Sequence, residues 1–158
     1  IAFSGGFAGD YTVTGTTGED ALAGGTGNDI LIGGDGSDVL TGGAGGDTFK
    51  WNATDGDTTT PPLDKVTDFD TVDGAAGGDK LDLSELLTSP YGSDGTDLTA
   101  YLSVTSDGSK TTITVKSDGI NVDQMIEVNG DLTGGFDQGT QQAQIIQNLL
   151  DQTKLISE

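Results

Sequence analysis

Five aspartates, Asp10, Asp20, Asp29, Asp38 and Asp47, recur at steps of ten, nine, nine and nine. Each closes a glycine-rich run and precedes three residues of strand character. The pattern is clearest in Gly24-Gly25-Thr26-Gly27-Asn28-Asp29-Ile30-Leu31-Ile32, and it repeats in residues 33–41 and 42–50. Carboxylates held in phase beside glycine-freed carbonyls make an oxygen-only cage. Such a cage suits a hard cation, and six or seven ligands at variable geometry suit Ca2+ better than Mg2+. Other chemistry is poorly provided for. The chain has no His, no Cys and no Arg, so the commonest general base, the usual zinc ligands and the thiolate nucleophile are all missing. Carboxylate pairs of glycosidase type are open by residue type alone. The metal-like spacing accounts for the acids instead, and the chain is read as a non-enzyme.

The elements that must position these aspartates follow from the same nine residues. The first six form a turn and the last three a short strand. Glycines at positions one, two and four admit backbone angles closed to other residues and turn carbonyls inward. The residue at position eight (Thr12, Leu22, Leu31, Leu40, Phe49) is expected to face inward, with Thr12 the weak member. Two worn copies precede the regular three. Gly15 to Ala23 has Thr16 at the second position. Gly5 to Val13 has Ala8 for the third glycine, with Thr14 as an extra residue. A flexible linker is the alternative, but linkers do not hold Asp and an apolar residue in fixed phase.

Composition explains why a cation is needed. The 158 residues are enough for one domain or one capped repeat unit. Twenty-six acids against six lysines leave a net charge of −20, and 27 glycines add conformational entropy to be lost on folding. Low hydrophobicity with this charge would ordinarily mean disorder. The same charge repels nucleic acid and anionic membrane surfaces. No apolar run approaches the roughly 20 residues that span a bilayer. The chain starts at Ile1 without an initiator Met or a signal-peptide pattern, and is expected to be a piece of a longer protein. One cation site held at about 100 times its Kd stabilises a fold by roughly 2.7 kcal/mol, so three would supply roughly 8 kcal/mol. That equals the whole net stability of an ordinary domain.

After Lys50 the nonapeptide stops. Trp51 is expected to cap the open end of the roll. Asn52, Asp55 and Asp57 fall where another turn could begin, so a further calcium site is read between them and Gly33, Asp35 and Asp38. A solvated acidic loop is the alternative. Pro61-Pro62 breaks regular structure. Val66, Phe69, Leu81 and Leu83 read as strand positions surrounded by Asp64, Asp68, Asp79 and Asp82, a second and less regular calcium cluster. Ser84 to Leu87 reads as a helical turn. From Tyr101 the period becomes two: Leu102 and Val104, then Asp107-Gly108, then Ile113 and Val115, a hairpin signal. Asp118-Gly119 marks another turn and Met125 to Val128 a third strand. Ala143, Ile146, Leu149 and Leu150, with Ile145 beside them, form a helical stripe, with Thr140 as its N-cap and Leu155-Ile156 beyond it.

These repeats resemble the RTX family, calcium-binding proteins exported by bacterial type I secretion. Asp64 to Ser84 is similar to the D-x-[IV]-x-D-F…G-D-x-[IL]-D-L-S pattern that follows the repeats in many members. The order of roll, that pattern, Tyr101-Leu102 with its hairpin, and a terminal Ile-Ile-x-x-Leu-Leu stretch resembles the C-terminal export domain of very large RTX adhesins. A terminal acidic residue followed by large apolar residues, as in exported proteases and lipases, is not present.

The resemblance implies a mostly β fold: a calcium-bound parallel β-roll (a β-helix or solenoid) continued into a β-rich C-terminal cap with one helix. Residues 1–51 would form the roll, 52–100 a capping segment with additional calcium, and 101–158 the hairpin, helix and export signal. One turn of roll takes two copies, and each ion lies between copies n and n+2. In this family the earlier copy gives the carbonyls of positions one and three and its Asp; the later copy gives those of positions two and four and its Asp. Three sites are implied. The first joins Gly5, Phe7 and Asp10 to Gly25, Gly27 and Asp29. The second joins Gly15, Thr17 and Asp20 to Gly34, Gly36 and Asp38. The third joins Gly24, Thr26 and Asp29 to Gly43, Gly45 and Asp47. Further sites would draw on Gly33, Asp35, Asp57, Asp64, Asp68 and Asp79.

The implied function is a calcium-dependent folding and secretion module of a secreted, cell-surface adhesin. Its expected partners are the type I secretion machinery and the rest of the parent chain. No nucleic acid, no membrane insertion and a monomer are expected. The alternative is the C-terminal RTX domain of a secreted hydrolase. Ice or flat-surface binding would need regular outward rows, and the third-position row (Phe7, Thr17, Thr26, Asp35, Ala44) is broken.

Overall fold

The chain winds by alternating between two sheets. The computed structural model describes residues 2–3, 7–57, 59–71, 78–87, 98–134, 142–143, 145–146 and 155–156. Strands β3 (Thr12–Thr14), β5 (Ile30–Ile32), β7 (Thr48–Lys50) and β9 (Lys80–Asp82) stack in parallel in one sheet, with β13 (Leu155–Ile156) beyond β9. Strands β4 (Ala21–Thr26), β6 (Val39–Ala44) and β8 (Leu63–Val66) stack in the other, after β1 (Ala2–Phe3) and β2 (Phe7–Ala8). Each strand therefore pairs with the next but one, and two copies make one turn. Neither sheet closes on itself.

Register follows the inward residue. Leu22 lies on Leu40 and then Val66; Val13 lies on Leu31, Phe49 and Leu81. All seven are buried, Leu31, Leu40 and Phe49 completely. One apolar side chain per strand thus fills the space between the sheets, and glycine turns at both edges reverse the chain.

The first copy sits one residue away from its expected frame. Val13, not Thr12, pairs with Leu31, and Thr12 and Thr14 are exposed on either side of it. Phe7 pairs with Gly25 and Ala8 with Thr26. Thr14 is therefore not an insertion; it pairs with Ile32 as the ninth residue of its copy. The cause is the two-residue period of a strand. A one-residue slip would turn Val13 outward and put the Thr12 hydroxyl inside.

The segment after Trp51 is the last turn of the same roll, not a separate cluster. Val66 follows Leu40 at a spacing of 26 and Leu81 follows Phe49 at 32, against 18 for Leu31 on Val13, because longer loops intervene. Ser84 to Leu87 form a turn in which Leu87 N–H donates to the Leu83 carbonyl (3.0 Å), with Leu86 and Leu87 buried. A 3-10 turn at Leu98–Ala100 leads into an antiparallel meander, β10 (Leu102–Ser106), β11 (Lys110–Val115) and β12 (Gln124–Asn129). Strand β12 lies parallel to β8, so the meander extends the sheet of β4, β6 and β8. The expected C-terminal helix is not supported. Much of that stretch, including Thr140, Leu149 and Leu150, lies outside the described residues, although Ile145 and Ile146 are buried.

The shifted frame is testable. With calcium present, Val13→Ala should lower unfolding stability by about 1.5 kcal/mol, two buried methyl-sized groups. Thr12→Ala, at an exposed position, should stay within about 0.5 kcal/mol. Urea unfolding checks the pair, and the reverse order would restore the original frame.

Candidate calcium-binding turns

In the three regular copies the position-two and position-four glycines take left-handed backbone: φ is 129° at Gly25 and 134° at Gly27, 94° and 111° at Gly34 and Gly36, 107° and 133° at Gly43 and Gly45. A side chain is also excluded by space, since a Cβ on Gly43 would overlap the Gly25 carbonyl one turn back. In the first copy the left-handed glycine is Gly9 (124°), which confirms that it holds position four. Position-three carbonyls join the turns: Thr26 accepts from Gly9 N–H and Ala44 from Gly27 N–H, each at 2.8 Å. A carbonyl oxygen has two lone pairs.

The aspartates form two ladders, one per edge. Along one, Asp20 N–H donates to Asp38 Oδ1 and Asp38 N–H to Asp64 Oδ1, both at 2.8 Å. Along the other, Tyr11, Asp29 and Asp47 donate their N–H groups to Asp29, Asp47 and Asp79, again at 2.8 Å. Every Oδ1 thus faces the preceding turn. The second oxygen separates the ladder's ends from its middle. At the ends it is satisfied within the chain. Asp20 Oδ2 accepts from Thr16 N–H (2.5 Å) and Oγ1 (2.9 Å), and Asp79 Oδ2 from Asp70 N–H (2.8 Å). Asp64 Oδ2 accepts from Trp51 Nε1 (2.6 Å) and Gln124 Nε2 (2.9 Å). In the middle, Asp29 Oδ2, Asp38 Oδ2 and Asp47 Oδ2 are buried and meet no donor. Each lies against the first glycine of its own turn, where a Cβ on Gly24, Gly33 or Gly42 would overlap it.

A buried carboxylate oxygen without a partner is costly. Neighbouring turns are about 4.8 Å apart, so adjacent ionised carboxylates repel by about 3 kcal/mol at an effective dielectric of about 20. Protonation is one remedy. Burial, with the charges of Asp20 and Asp55, pushes Asp38 up to about 6. Burial, with Asp79, Asp29 and Asp68, pushes Asp47 up to about 6. Burial raises Asp64 to about 7 despite its N–H donors. A divalent cation is the other remedy, and the donor set fits one: unpartnered carboxylate oxygens, inward carbonyls, no nitrogen or sulfur. Among the described residues no three acidic side chains converge to hold a metal by themselves, so backbone carbonyls must complete each cage.

Residues 14–49 match the model of the RTX calcium-binding nonapeptide repeat in four copies. They are RTX calcium-binding repeats, and they bind Ca2+. No curated protein matches the chain. Two solution structures are similar to it, both subunits of the Azotobacter vinelandii mannuronan C5-epimerase. AlgE6R3 is 29% identical with a TM-score of 0.48, covering 78% of this chain and 72% of that one. AlgE6R2 is 24% identical with a TM-score of 0.35, covering 75% and 84%.

The RTX turns gather the expected residues unevenly. Gly24, Thr26 and Asp29 stack with Gly43, Gly45 and Asp47, and Gly15, Thr17 and Asp20 with Gly34, Gly36 and Asp38. The first expected set does not assemble as read. Gly5 lies outside the described residues. Asp10 takes the fifth position, where its Oδ1 accepts from Asn28 N–H (2.8 Å), and Tyr11 stands where the ladder needs a carboxylate. Asp57 is exposed and bonded to Thr59 N–H and Thr60 Oγ1 in its own loop; Asp55 is the buried acid there. Asp64, Asp68 and Asp79 do not form one cluster. Asp64 and Asp79 end opposite ladders, and Asp68 accepts from Gly42 and Gly43 N–H (2.9 and 2.8 Å). Gln124 carried no local signal at all.

The pH dependence follows from the raised carboxyls. Without metal, the folded chain holds protons on Asp38, Asp47 and Asp64 up to about pH 6 to 7, whereas the unfolded chain releases them near 3.8. Folding takes up protons in that window, so metal-free stability falls as pH rises through it. Calcium affinity rises over the same window, because the ligands must be ionised. Circular dichroism in calcium-free buffer should show more β structure at about pH 5 than at about pH 8. The opposite trend would contradict the burial of these acids.

Proposed function

We propose that this chain is a calcium-dependent folding and export module of a large secreted RTX adhesin, itself without catalytic activity. The observation that carries the reading is the set of three buried, donorless oxygens, on Asp29 and Asp47 along one edge and on Asp38 along the other. An acidic chain with those oxygens inside its turns resists compaction where cations are scarce. RTX repeat proteins are typically secreted, which supports an extracellular location for this one. Among the described residues no helix is long and apolar enough to cross a membrane.

The mechanism resides in the difference between compartments. In a calcium-poor cytosol the aspartates repel one another, the glycine turns stay open, and the chain remains threadable through a type I channel. When bound, Ca2+ supplies the positive charge that the turn oxygens lack. Outside, the aspartate ladders close, Leu22, Leu31, Leu40 and Phe49 stack, and the folded roll opposes return through the channel. The chain then acts as a monomeric terminal cap on the parent adhesin, with no nucleic acid or membrane partner.

Far-ultraviolet circular dichroism with EGTA and then with millimolar Ca2+ tests the switch. The expected result is an unfolded spectrum that becomes β on calcium addition. Asp29→Asn, Asp38→Asn and Asp47→Asn should each raise the calcium midpoint on the order of tenfold, about 1.4 kcal/mol. A folded spectrum in EGTA at neutral pH would end this reading.

A further inference from the structure

The junction between the roll and the C-terminal sheet holds a donorless oxygen that the repeats do not explain. Gln124, the first residue of β12, is fully buried. Its Nε2 donates to Asp64 Oδ2 (2.9 Å) and to the Met125 carbonyl (3.1 Å), while its Oε1 meets no donor. Two acceptors at Nε2 fix the orientation of the amide, so a flip does not relieve Oε1. Asp64 is also the partner of Asp38, whose N–H donates to the other oxygen, Oδ1 (2.8 Å). The donorless Oδ2 of Asp38 and the donorless Oε1 of Gln124 therefore belong to two residues that meet at one carboxylate, Asp38 through its backbone N–H and Gln124 through its side-chain amide. Asp55 is the third member. It is buried, its Oδ2 accepts from Asn52 N–H (2.7 Å), and its charge acts on both Asp38 and Asp64. With Asp35, Gly36, Ser37 and Thr54 it lines a cavity of about 590 Å3 beside that turn.

We propose that Asp38, Asp55 and Gln124 hold a calcium ion at this junction, a site closed by the C-terminal sheet and not by another repeat. It rests on the calcium reading above and extends it beyond the nonapeptides. The chemistry is consistent: two carboxylates balance a divalent charge, and an amide oxygen is an ordinary neutral calcium ligand. Asp64 is not a ligand, since N–H donors occupy both of its oxygens. The ligands span residues 38 to 124, so the ion ties β12 to the roll. Docking of the meander on β8 becomes calcium-dependent even though no repeat lies in it.

Terbium, a hard cation that takes the same oxygen sites, tests this in the full chain. Trp51 is the only tryptophan, and its Nε1 lies 2.6 Å from Asp64 Oδ2, so indole excitation reports ions at the junction. The wild type should show indole-sensitised terbium emission that Ca2+ competes away. Gln124→Met and Asp55→Asn should each lower it several-fold and remove one ion from the calcium stoichiometry measured by equilibrium dialysis. Asp57→Asn, in the exposed part of the loop, should change neither. If Gln124→Met does not fold in calcium, Asp55→Asn, outside both sheets, carries the test alone. Unchanged emission and stoichiometry would overturn the junction site and leave the repeat sites standing. No calcium bound by the wild type would overturn the functional reading itself.

Discussion

Carboxylates are stacked on carboxylates along both edges of this roll, and the rest of the structure depends on how that stacking is tolerated. A parallel ladder forces identical positions of successive turns to lie about 4.8 Å apart. The nonapeptide places an aspartate at one of those positions, so each turn adds a buried negative charge above the last. One oxygen is satisfied by the preceding turn's N–H, which helps to fix register. The other is left donorless at Asp29, Asp38 and Asp47. The hydrophobic interior cannot offset this alone, because each strand contributes a single inward side chain. A chain of this composition folds only with its charges matched, and the ladder sets where the matching charge must go.

The ladder's ends show the same constraint handled without a cation. Thr16, standing where a second glycine would be, donates twice to Asp20. The departure from the repeat is thus a side chain doing locally what an ion does elsewhere. Trp51 and Gln124 do the same for Asp64, and the Asp70 N–H for Asp79. Trp51 was expected as an apolar plug. It is buried to 1% exposure, but its indole N–H gives it a second role as the donor that lets the ladder stop. The sheet edge beyond is closed by a related device. The Gln142 amide accepts from Val104 N–H and donates to Val104 C=O, both at 2.8 Å, as a neighbouring strand would. An edge strand so occupied is a poor template for pairing with another chain.

What was legible in the chain was whatever repeats. Leu22, Leu31, Leu40 and Phe49 announce the inward column, and the glycine positions announce the turns. Both follow from local period and could be read without the fold. The first copy misled because Asp10 and Val13 cannot both hold their nominal places. Counting from the acid gives one frame, counting from the apolar residue another. Burial decides for Val13, since a slipped strand reverses every side chain, whereas Asp10 at an edge loses little by moving to the solvent-facing fifth position. A spacing of 18 back from Asp29 lands on Tyr11, and that was the available clue. Asp64 and Asp79 were legible as acids but not as ladder members, because loops lengthen the spacing to 26 and 32. Gln124 was illegible in principle. Its role depends on a contact 60 residues away, and a lone glutamine before a strand has no pattern.

That long separation orders the structure. Contacts within the roll close loops of 18 residues, while β12 reaches β8 across about 60. By loop entropy alone the longer closure costs about 1 kcal/mol more. The C-terminal sheet also has no register of its own on the roll. Met125 falls on Leu63 and Val128 on Val66 only because β8 is already placed, and β8 is placed by Leu40 under Val66 and by Asp38 N–H on Asp64. Register therefore passes outward, from the repeat ladder to β8 and from β8 to the meander. Whatever neutralises Asp38 stabilises the template on which β12 aligns. A charge matched inside a nine-residue turn is felt in this way by strands that contain no repeat.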